Sequence, residues 1–203
     1  MARPAPNELD GETIPVPRTV RFPVELIPPD GFEPVRLETW PRVDGRIEWV
    51  EGRLLFMPPC GGLRAFTVGR LVTALGIWAR SHPAFLVATN EVGMRLGEDV
   101  RAADAAVWAR ASVDSEHAGL LSVPPILAVE VSGREESEMQ LGDKAQRYRE
   151  AGVAVVWCLF PEVREVVVVT SGTTRHRIGD RMPIDPRLPG LAPRVDEFFG
   201  PSA

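Results

Sequence analysis

The chain has 203 residues, of which 44% are apolar and 25% are charged, and its formal net charge is -5. This composition excludes a wholly disordered chain and indicates one globular domain with a full hydrophobic core. The negative charge argues against non-specific nucleic-acid binding through a strongly basic surface. We expect a cytoplasmic protein, because no apolar run approaches the roughly 18 residues of a membrane span and no secretion signal is visible.

The N-terminal segment, residues 1–34, contains eight prolines. This density forbids a continuous helix and disfavours paired strands. We interpret the segment as a proline-rich arm and residues 35–203 as the domain. The arm is either disordered, or its apolar residues Phe22, Val24, Leu26 and Ile27 dock on the domain or on a second subunit. Docking between subunits would produce a homodimer.

A hairpin and a helix are the next elements predicted along the chain. Arg46–Val50 and Arg53–Met57 are apolar-rich runs separated by Glu51-Gly52, a pair suited to a two-residue turn. Apolar and small residues then recur at helical spacing over residues 63–81. The pattern therefore predicts a β-hairpin followed by a long helix.

Beyond this helix, strands surround one further helix. Strands are predicted over residues 85–89, 92–95, 103–109, 126–131, 153–160 and 164–170, with a helix over 138–151 that Gly152 ends. The run 126–131 is apolar except for Glu130, which indicates a strand buried on both faces of a central sheet. The order of elements predicts a single mixed α/β domain.

Lys144 lies in the predicted second helix and is the only lysine among 23 basic residues. At 100° per residue it shares a stripe about 100° wide with Leu141, Ala145 and Tyr148, the only tyrosine, so it faces inward. An ammonium placed against a core needs a carboxylate, a phosphate or a cleft at its tip. The alternative is that its long stem passes along the core to water.

Carboxylates interrupt the predicted core strands. Glu130 is the one ionisable group of its strand, Asp104 opens an apolar run, and Glu48 interrupts the first hairpin strand. Clustered carboxylates are typical of a site for a hard divalent cation such as Mg²⁺ or Mn²⁺. The alternative for Asp104 and Glu48 is an ordinary charge at the end of a strand.

Five segments, in order, resemble motifs of the Uma-two family, a branch of the restriction-endonuclease-like PD-(D/E)XK superfamily. The likeness extends over about residues 42–199. No single segment is decisive, but their order is specific. The segments are residues 46–52, 101–107, 124–132, 144–148 with Gly152 and Trp157, and 188–191 with Phe198.

The resemblance implies a restriction-endonuclease-like mixed β-sheet core flanked by helices, and Mg²⁺- or Mn²⁺-dependent hydrolysis of phosphodiester bonds. DNA is the expected partner, and no membrane is involved. Asp104, Glu130 and the carbonyl of Val131 would hold the ion, and Glu48 would complete the acidic cluster. Lys144 would orient or help deprotonate the attacking water, and Tyr148 would hydrogen-bond beside it.

Three residues depart from the family pattern. Ala103 replaces a proline, Arg64 stands where many members have a histidine, and Gln140 stands where an aspartate often precedes the lysine. The alternative function is therefore a catalytically decayed module that acts in binding or assembly, although the retained acids and lysine favour the nuclease. Despite the net charge, local phosphate contacts are expected from Arg64, Arg70, Arg95, Arg101 and Arg134.

Overall fold

The structure is a computed structural model that describes residues 22–114, 119–134 and 136–200. Residues 1–21 of the predicted arm lie outside this part of the chain. The strands of the described part are β1 (Val24–Leu26), β2 (Arg46–Val50), β3 (Arg53–Met57), β4 (Phe85–Leu96), β5 (Asp99–Ala109), β6 (Leu127–Val131), β7 (Val155–Phe160), β8 (Glu165–Val169) and β9 (Thr173–Arg177). Its α-helices are α1 (Gly62–Arg80), α2 (Glu138–Glu150) and α3 (Asp196–Phe199). None of these helices is long and apolar enough to cross a membrane.

All nine strands join one mixed sheet. The order is β1-β3-β2-β5-β6-β7-β8-β9, and β4 pairs with β5. β6 and β7 are parallel, whereas the other pairs are antiparallel. α2 connects the two parallel strands, because a parallel pair needs a crossover rather than a tight turn. The predicted mixed α/β class is therefore confirmed.

Helices cover both faces of the sheet. Every residue of β6 is buried, as predicted for the strand that carries Glu130. On one face the core includes Leu71 and Leu75 of α1 together with Phe198 of α3. On the other face Leu141 and its neighbours on α2 pack against β6 and β7. The side chain of Glu130 is therefore held between the sheet and a covering layer.

The described end of the arm contributes a strand, which the proline density did not predict. β1 pairs with β3, with Val24 opposite Phe56. The prolines flank this strand rather than interrupt it, and a short edge strand tolerates them there. Val24 and Leu26 are partly buried, whereas Ile27 is 94% exposed. Val24 and Leu26 therefore dock on the domain, as one of the predicted alternatives has it, whereas Ile27 does not dock on the domain.

Three other elements differ from the prediction. The two strands expected over 85–95 are one long strand, β4, with a register irregularity between Thr89 and Val92. β9 and α3 were missed because β9 is a mostly exposed, polar edge strand and α3 is a single turn. The segment 188–191, which resembles a family motif, is held in the fold by a hydrogen bond that the indole Nε1 of Trp78 donates to the Pro189 carbonyl at 2.9 Å.

Gly152 ends α2, as predicted, with φ at +97°. A side chain there would be strained by the backbone conformation, and its Cβ would lie 3.3 Å from Cγ of Pro124. Gly142, in the interior of α2, has open space around its Cα instead. The two glycines therefore form a matched pair for testing the helix end.

We expect Gly152→Ala to lower the free energy of unfolding by about 1–2 kcal/mol, because a β-carbon is unfavourable at positive φ. Gly142→Ala should instead raise it by up to about 1 kcal/mol, since alanine is the better helix former. Urea unfolding of the two variants checks the prediction. Equal effects of both substitutions would contradict this account of the helix end.

Candidate active site

β2 supplies two buried charged side chains to the site. Arg46 and Glu48 are two residues apart, so they project from the same face of the strand. The side chains are 6% and 4% exposed, respectively. Glu48 Oε1 accepts a hydrogen bond from the Ala102 amide of β5 at 3.2 Å. This bond fixes the Glu48 carboxylate beside the next strand of the sheet.

Asp104 of β5 and Glu130 of β6 occupy opposing positions on neighbouring strands. β5 and β6 are antiparallel, with Ala105 opposite Val129, and the next pair in that register is Asp104 with Glu130. Opposed side chains of antiparallel strands share one face. Asp104 Oδ2 also accepts a hydrogen bond from the Val131 amide at 2.7 Å. The strand pairing therefore brings both carboxylates to the same side of the sheet.

α2 directs Lys144 at these acids. Lys144 Nζ lies 2.9 Å from Glu130 Oε2 and 3.4 Å from Glu48 Oε1, and the side chain is only 10% exposed. Leu141 and Ala145, on the same stripe, are fully buried. The ammonium therefore faces inward, as the spacing predicts, and the alternative in which its stem reaches water is wrong.

Tyr148, one turn after Lys144, completes the contacts of Glu130. Its hydroxyl donates a 2.7 Å hydrogen bond to Glu130 Oε1, and both groups are buried. The Lys144 ammonium also lies 5.8 Å from the centre of the Tyr148 ring. The two oxygens of Glu130 therefore have different partners, a phenol and an ammonium.

Gln140, one of the three departures from the family pattern, has a structural role. Its side chain accepts a hydrogen bond from the Ser137 amide at 2.8 Å, while the Ser137 hydroxyl accepts one from the Gln140 amide at 3.2 Å. This reciprocal pair is a capping box, which satisfies donors at the start of a helix. The residue thus stabilises the N-terminus of the helix that carries Lys144.

Two arginines neutralise Asp104. Arg64, in the first turn of α1, places Nη2 2.9 Å from both Asp104 oxygens. Arg46 Nη1 lies 3.8 Å from Asp104 Oδ1, and Arg46 Nε lies 3.7 Å from Glu48 Oε1. Arg46 thereby links the acid of β5 with the acid of β2.

These contacts join six side chains in an alternating chain of cations and anions, which we call the buried ion-pair network. Its three carboxylates and three cations cancel in formal charge. Removing one partner of such a buried pair typically costs about 3–5 kcal/mol, because the other charge is left uncompensated. The members, in order of contact, are Arg64, Asp104, Arg46, Glu48, Lys144 and Glu130.

The network shifts the pKa values of its two glutamates in opposite directions. Burial raises the pKa of Glu48, but the nearby charges of Lys144 and Arg46 outweigh burial and hold it below its usual value. For Glu130, burial raises the pKa, and the attraction of Lys144 does not fully offset it because Asp104 also raises it. The two glutamates therefore differ in proton affinity although both contact the same lysine.

Lys144 of the network and the neighbouring Tyr148 remain protonated. Burial lowers the pKa of Lys144, but the charges of Glu130 and Glu48 outweigh it and raise the pKa above its usual value. Burial, followed by the Glu130 charge, raises the pKa of Tyr148 well above 10. Both side chains are thus hydrogen-bond donors at neutral pH.

The donor atoms of the site suit a hard divalent cation. Asp104, Glu130 and the Val131 carbonyl offer only oxygen, the ligand type that Mg²⁺ and Mn²⁺ prefer. Among the side chains that the structure describes, however, no three of His, Cys, Asp or Glu converge as metal ligands. Cationic side chains of the protein lie beside the carboxylates instead.

A cleft of about 720 Å³ opens above the network. Its walls are the hairpin β2–β3, the start of α1, the loop after β6 and part of α2. Of the five arginines expected to contact phosphate, Arg70 and Arg95 do not line it. The cationic residues that do are Arg46, Arg53, Arg64, Arg101, Arg134, Lys144 and Arg147.

The structure brings every candidate residue from the sequence into this one site, namely Glu48, Asp104, Glu130, Val131, Lys144 and Tyr148. Arg46 was missed as a member, although its position two residues before Glu48 in a strand is the signal that identifies it. The sequence identifies Arg64 only as a departure from the family pattern and as an expected phosphate contact. Its partner Asp104 lies 40 positions away, so no local pattern reveals the pairing.

Comparison with solved structures identifies the class of the fold. A similar structure is the crystal structure of a protein from Anabaena variabilis ATCC 29413, described as a "putative nuclease belonging to DUF820". The two chains are 15% identical, the match covers 80% of this chain and 94% of that chain, and the TM-score is 0.70. The two chains therefore share a fold, and the predicted single-domain architecture of a mixed β-sheet core flanked by helices is confirmed.

The sequence comparison identifies the family. The profile of the Uma2 family, with the description "Putative restriction endonuclease", matches residues 34–196. The chain therefore belongs to this family, as its five motifs predict. No curated protein sequence matches the chain.

The opposite pKa shifts predict opposite effects of pH on two matched variants, Glu48→Gln and Glu130→Gln. The lowered pKa of Glu48 contributes stability above pH 4.5 that is lost as pH falls through the folded-state pKa. The raised pKa of Glu130 contributes stability below pH 4.5 that is lost as pH rises through the folded-state pKa.

The stability advantage of the parent over Glu48→Gln should therefore shrink as pH falls, and its advantage over Glu130→Gln should shrink as pH rises. Urea unfolding at several values between about pH 3 and 7, on both sides of the ordinary glutamate pKa, measures both differences. Parallel pH curves for the two variants would contradict the opposite shifts.

Proposed function

We propose that the protein is an endonuclease that hydrolyses phosphodiester bonds of DNA with Mg²⁺ or Mn²⁺. The observation that carries this proposal is the juxtaposition of Asp104 and Glu130 on adjacent strands with the Lys144 ammonium 2.9 Å from Glu130. Membership of the family with the description "Putative restriction endonuclease" supports the same reaction. The arginine-lined cleft above the acids supports a polyanionic substrate.

Asp104, Glu130 and the carbonyl of Val131 are the proposed ligands of the divalent ion. When bound, the ion polarises the scissile phosphate and lowers the pKa of a water molecule. Asp104 is oriented for this task by the Val131 amide, and Glu130 by the Tyr148 hydroxyl. These contacts hold both carboxylates in place without using all their lone pairs.

The chain's own side chains supply the remaining steps. Lys144, which is protonated at neutral pH, orients the attacking water and offsets charge that develops on the phosphate, for which a compact ammonium is suited. Glu48 holds the other side of Lys144 and completes the acidic cluster. Arg53, Arg134 and Arg147, exposed at the cleft, are positioned to contact flanking phosphates.

A second candidate function has one observation in its favour. Arg64 binds both oxygens of Asp104, and Asp104 is a proposed metal ligand. A catalytically decayed module acting in binding or assembly would have such an internally neutralised site. This module predicts weak metal binding and little effect of acid substitutions on any nucleic-acid affinity.

We also propose a cellular location and a domain organisation for the protein. Cys60 and Cys158 are free, which supports a cytoplasmic location. The start of the family match at residue 34 supports an N-terminal arm, residues 1–34, that adds β1 to the domain of residues 35–203.

We propose that this arm also contributes to a homodimer, in which two sites would cut both strands of a duplex. A monomeric mass at micromolar concentration by light scattering would contradict the dimer.

The nuclease proposal predicts that Mg²⁺ or Mn²⁺ supports DNA cleavage and that Ca²⁺ binds but supports it poorly, because Ca²⁺ is a weaker Lewis acid with looser geometry. Asp104→Asn and Glu130→Gln should abolish cleavage and tight metal binding, since an amide lacks the required charge. Cleavage assays at low salt and metal calorimetry measure these effects.

Asp143→Asn is the matched control, because Asp143 is an exposed carboxylate of the same cleft outside the buried ion-pair network. It should retain cleavage. Metal-independent cleavage that persists in Asp104→Asn would overturn the mechanism. Absence of Mn²⁺ binding at millimolar concentration would favour the decayed module.

Lys144→Arg should reduce the cleavage rate although it keeps the charge. The planar guanidinium cannot replace a compact ammonium in contact with both Glu48 and Glu130. A loss on the order of 100-fold or more is expected when a donor that stabilises developing charge is misplaced. Single-turnover cleavage rates measure it, with Arg147→Lys as the control for an exposed cation on the same helix. Full activity of Lys144→Arg would exclude the proposed role.

A further inference from the structure

Arg64 is the cation at the end of the buried ion-pair network, and Asp104 is its one carboxylate partner among the described residues. Its Nη2 binds both oxygens of Asp104 at 2.9 Å, and its side chain is 15% exposed. The buried Nε has no hydrogen-bond partner within the described part of the chain. One terminal nitrogen therefore carries the contact with Asp104, although a guanidinium offers a wider fork of donors.

The other two cations of the network are more firmly held. Arg46 lies near both Asp104 and Glu48, and Lys144 lies near both Glu48 and Glu130. Their side chains are 6% and 10% exposed, less than that of Arg64. Withdrawal of Arg64 thus breaks contact with one acid of the network, whereas withdrawal of either other cation breaks contact with at least two.

The position of Arg64 on α1 is itself unfavourable for a cation. It lies in the first turn, which contains no acidic residue, and the helix dipole places partial positive charge there. Attraction to the Asp104 carboxylate opposes this repulsion. If another cation neutralises Asp104, the reason for Arg64 to remain buried is removed.

Charge balance makes such a replacement necessary. The network is neutral with Arg64 in place, so the proposed divalent ion would leave two uncompensated positive charges in a buried site, which is unfavourable. Withdrawal of Arg64 removes one of them and releases each oxygen of Asp104 from its contact with the guanidinium. Arg64 also lines the cleft, so the guanidinium has an adjacent space to enter.

We propose that Arg64 is a tethered counter-cation of Asp104, and that a divalent ion binds by displacing its guanidinium into the cleft. This inference rests on the proposed divalent-ion site. The affinity of the site for the divalent ion then depends on competition between that ion and the Arg64 guanidinium for the Asp104 carboxylate. The chain therefore regulates the site through a residue outside the proposed metal ligands.

The test is the Mn²⁺ affinity of the full chain, measured by isothermal titration calorimetry without nucleic acid. Arg64→Gln removes the competing charge and should tighten Mn²⁺ binding by between about 5-fold and 150-fold. Arg64→Lys retains a charge and should bind Mn²⁺ more weakly than Arg64→Gln. Equal affinity of the parent and Arg64→Gln, or of the Gln and Lys variants, would overturn the proposal.

Arg134→Gln is the matched control, because it removes the same charge from an exposed position in the same cleft. Solvent screens an exposed charge, so its Mn²⁺ affinity should change by less than about twofold. An increase equal to that of Arg64→Gln would attribute the effect to overall charge and would overturn the displacement.

A second measurement uses the parent protein and does not depend on how a variant folds. Modification by phenylglyoxal, followed by mass spectrometry, reports the accessibility of each arginine. Saturating Mn²⁺ should accelerate modification of Arg64 several-fold and leave that of Arg134 unchanged. Unchanged or slower modification of Arg64 would overturn the proposal.

The outcomes separate this inference from the proposed function. Metal-dependent cleavage by the parent with no gain of affinity in Arg64→Gln would retain the nuclease and reject the displacement. Tighter Mn²⁺ binding by Arg64→Gln, with no cleavage by either protein, would retain the displacement and reject the nuclease. Absence of Mn²⁺ binding by both proteins would reject the displacement.

Discussion

The burial of three carboxylates at the junction of β2, β5 and β6 is the constraint on which the site depends. Ionised groups are costly in a protein interior unless opposite charges and hydrogen bonds compensate them. Here the compensating cations come from β2, α1 and α2, which are separate parts of the chain. Assembly of the fold and assembly of the site are therefore one event, because the acids are compensated only when all three elements are in place.

Strand register and helix packing provide the accuracy of this arrangement. A shift of β6 by one residue would turn Glu130 away from Asp104, since side chains alternate between the faces of a strand. The apolar neighbours of Lys144, Leu141 and Ala145, fix the rotation of α2 against the sheet. Ordinary core packing thus positions the ammonium, and the hydrogen bond from Tyr148 orients its carboxylate partner.

A chemical role of the site explains the buried ion-pair network better than a contribution to the stability of the fold does. Buried ion pairs are often no more stabilising than apolar residues of similar volume, and this network occupies positions next to a well-packed core. Its two glutamates have pKa values shifted in opposite directions, although they share Lys144. Such separation of neighbouring acids is typical of sites that bind cations or transfer protons.

The sequence by itself determined the elements whose signal is local. The hairpin around Glu51-Gly52, the buried strand that carries Glu130 and the inward stripe of α2 follow from residue spacing, because helix and strand periods act over a few residues. The order of motifs also indicated the family and the acids of the site. Much of the central sheet, the proposed metal ligands and Lys144 are therefore accessible from the sequence alone.

Only the tertiary structure decided which charges meet. β1 depends on pairing with β3, and β9 is a mostly exposed edge strand, so neither has a strong pattern of its own. The contacts of Asp104 with Arg46 and Arg64 join residues far apart in sequence. Electrostatic pairing depends on distance in space and on burial, and both are established only when the sheet and its covering helices are assembled.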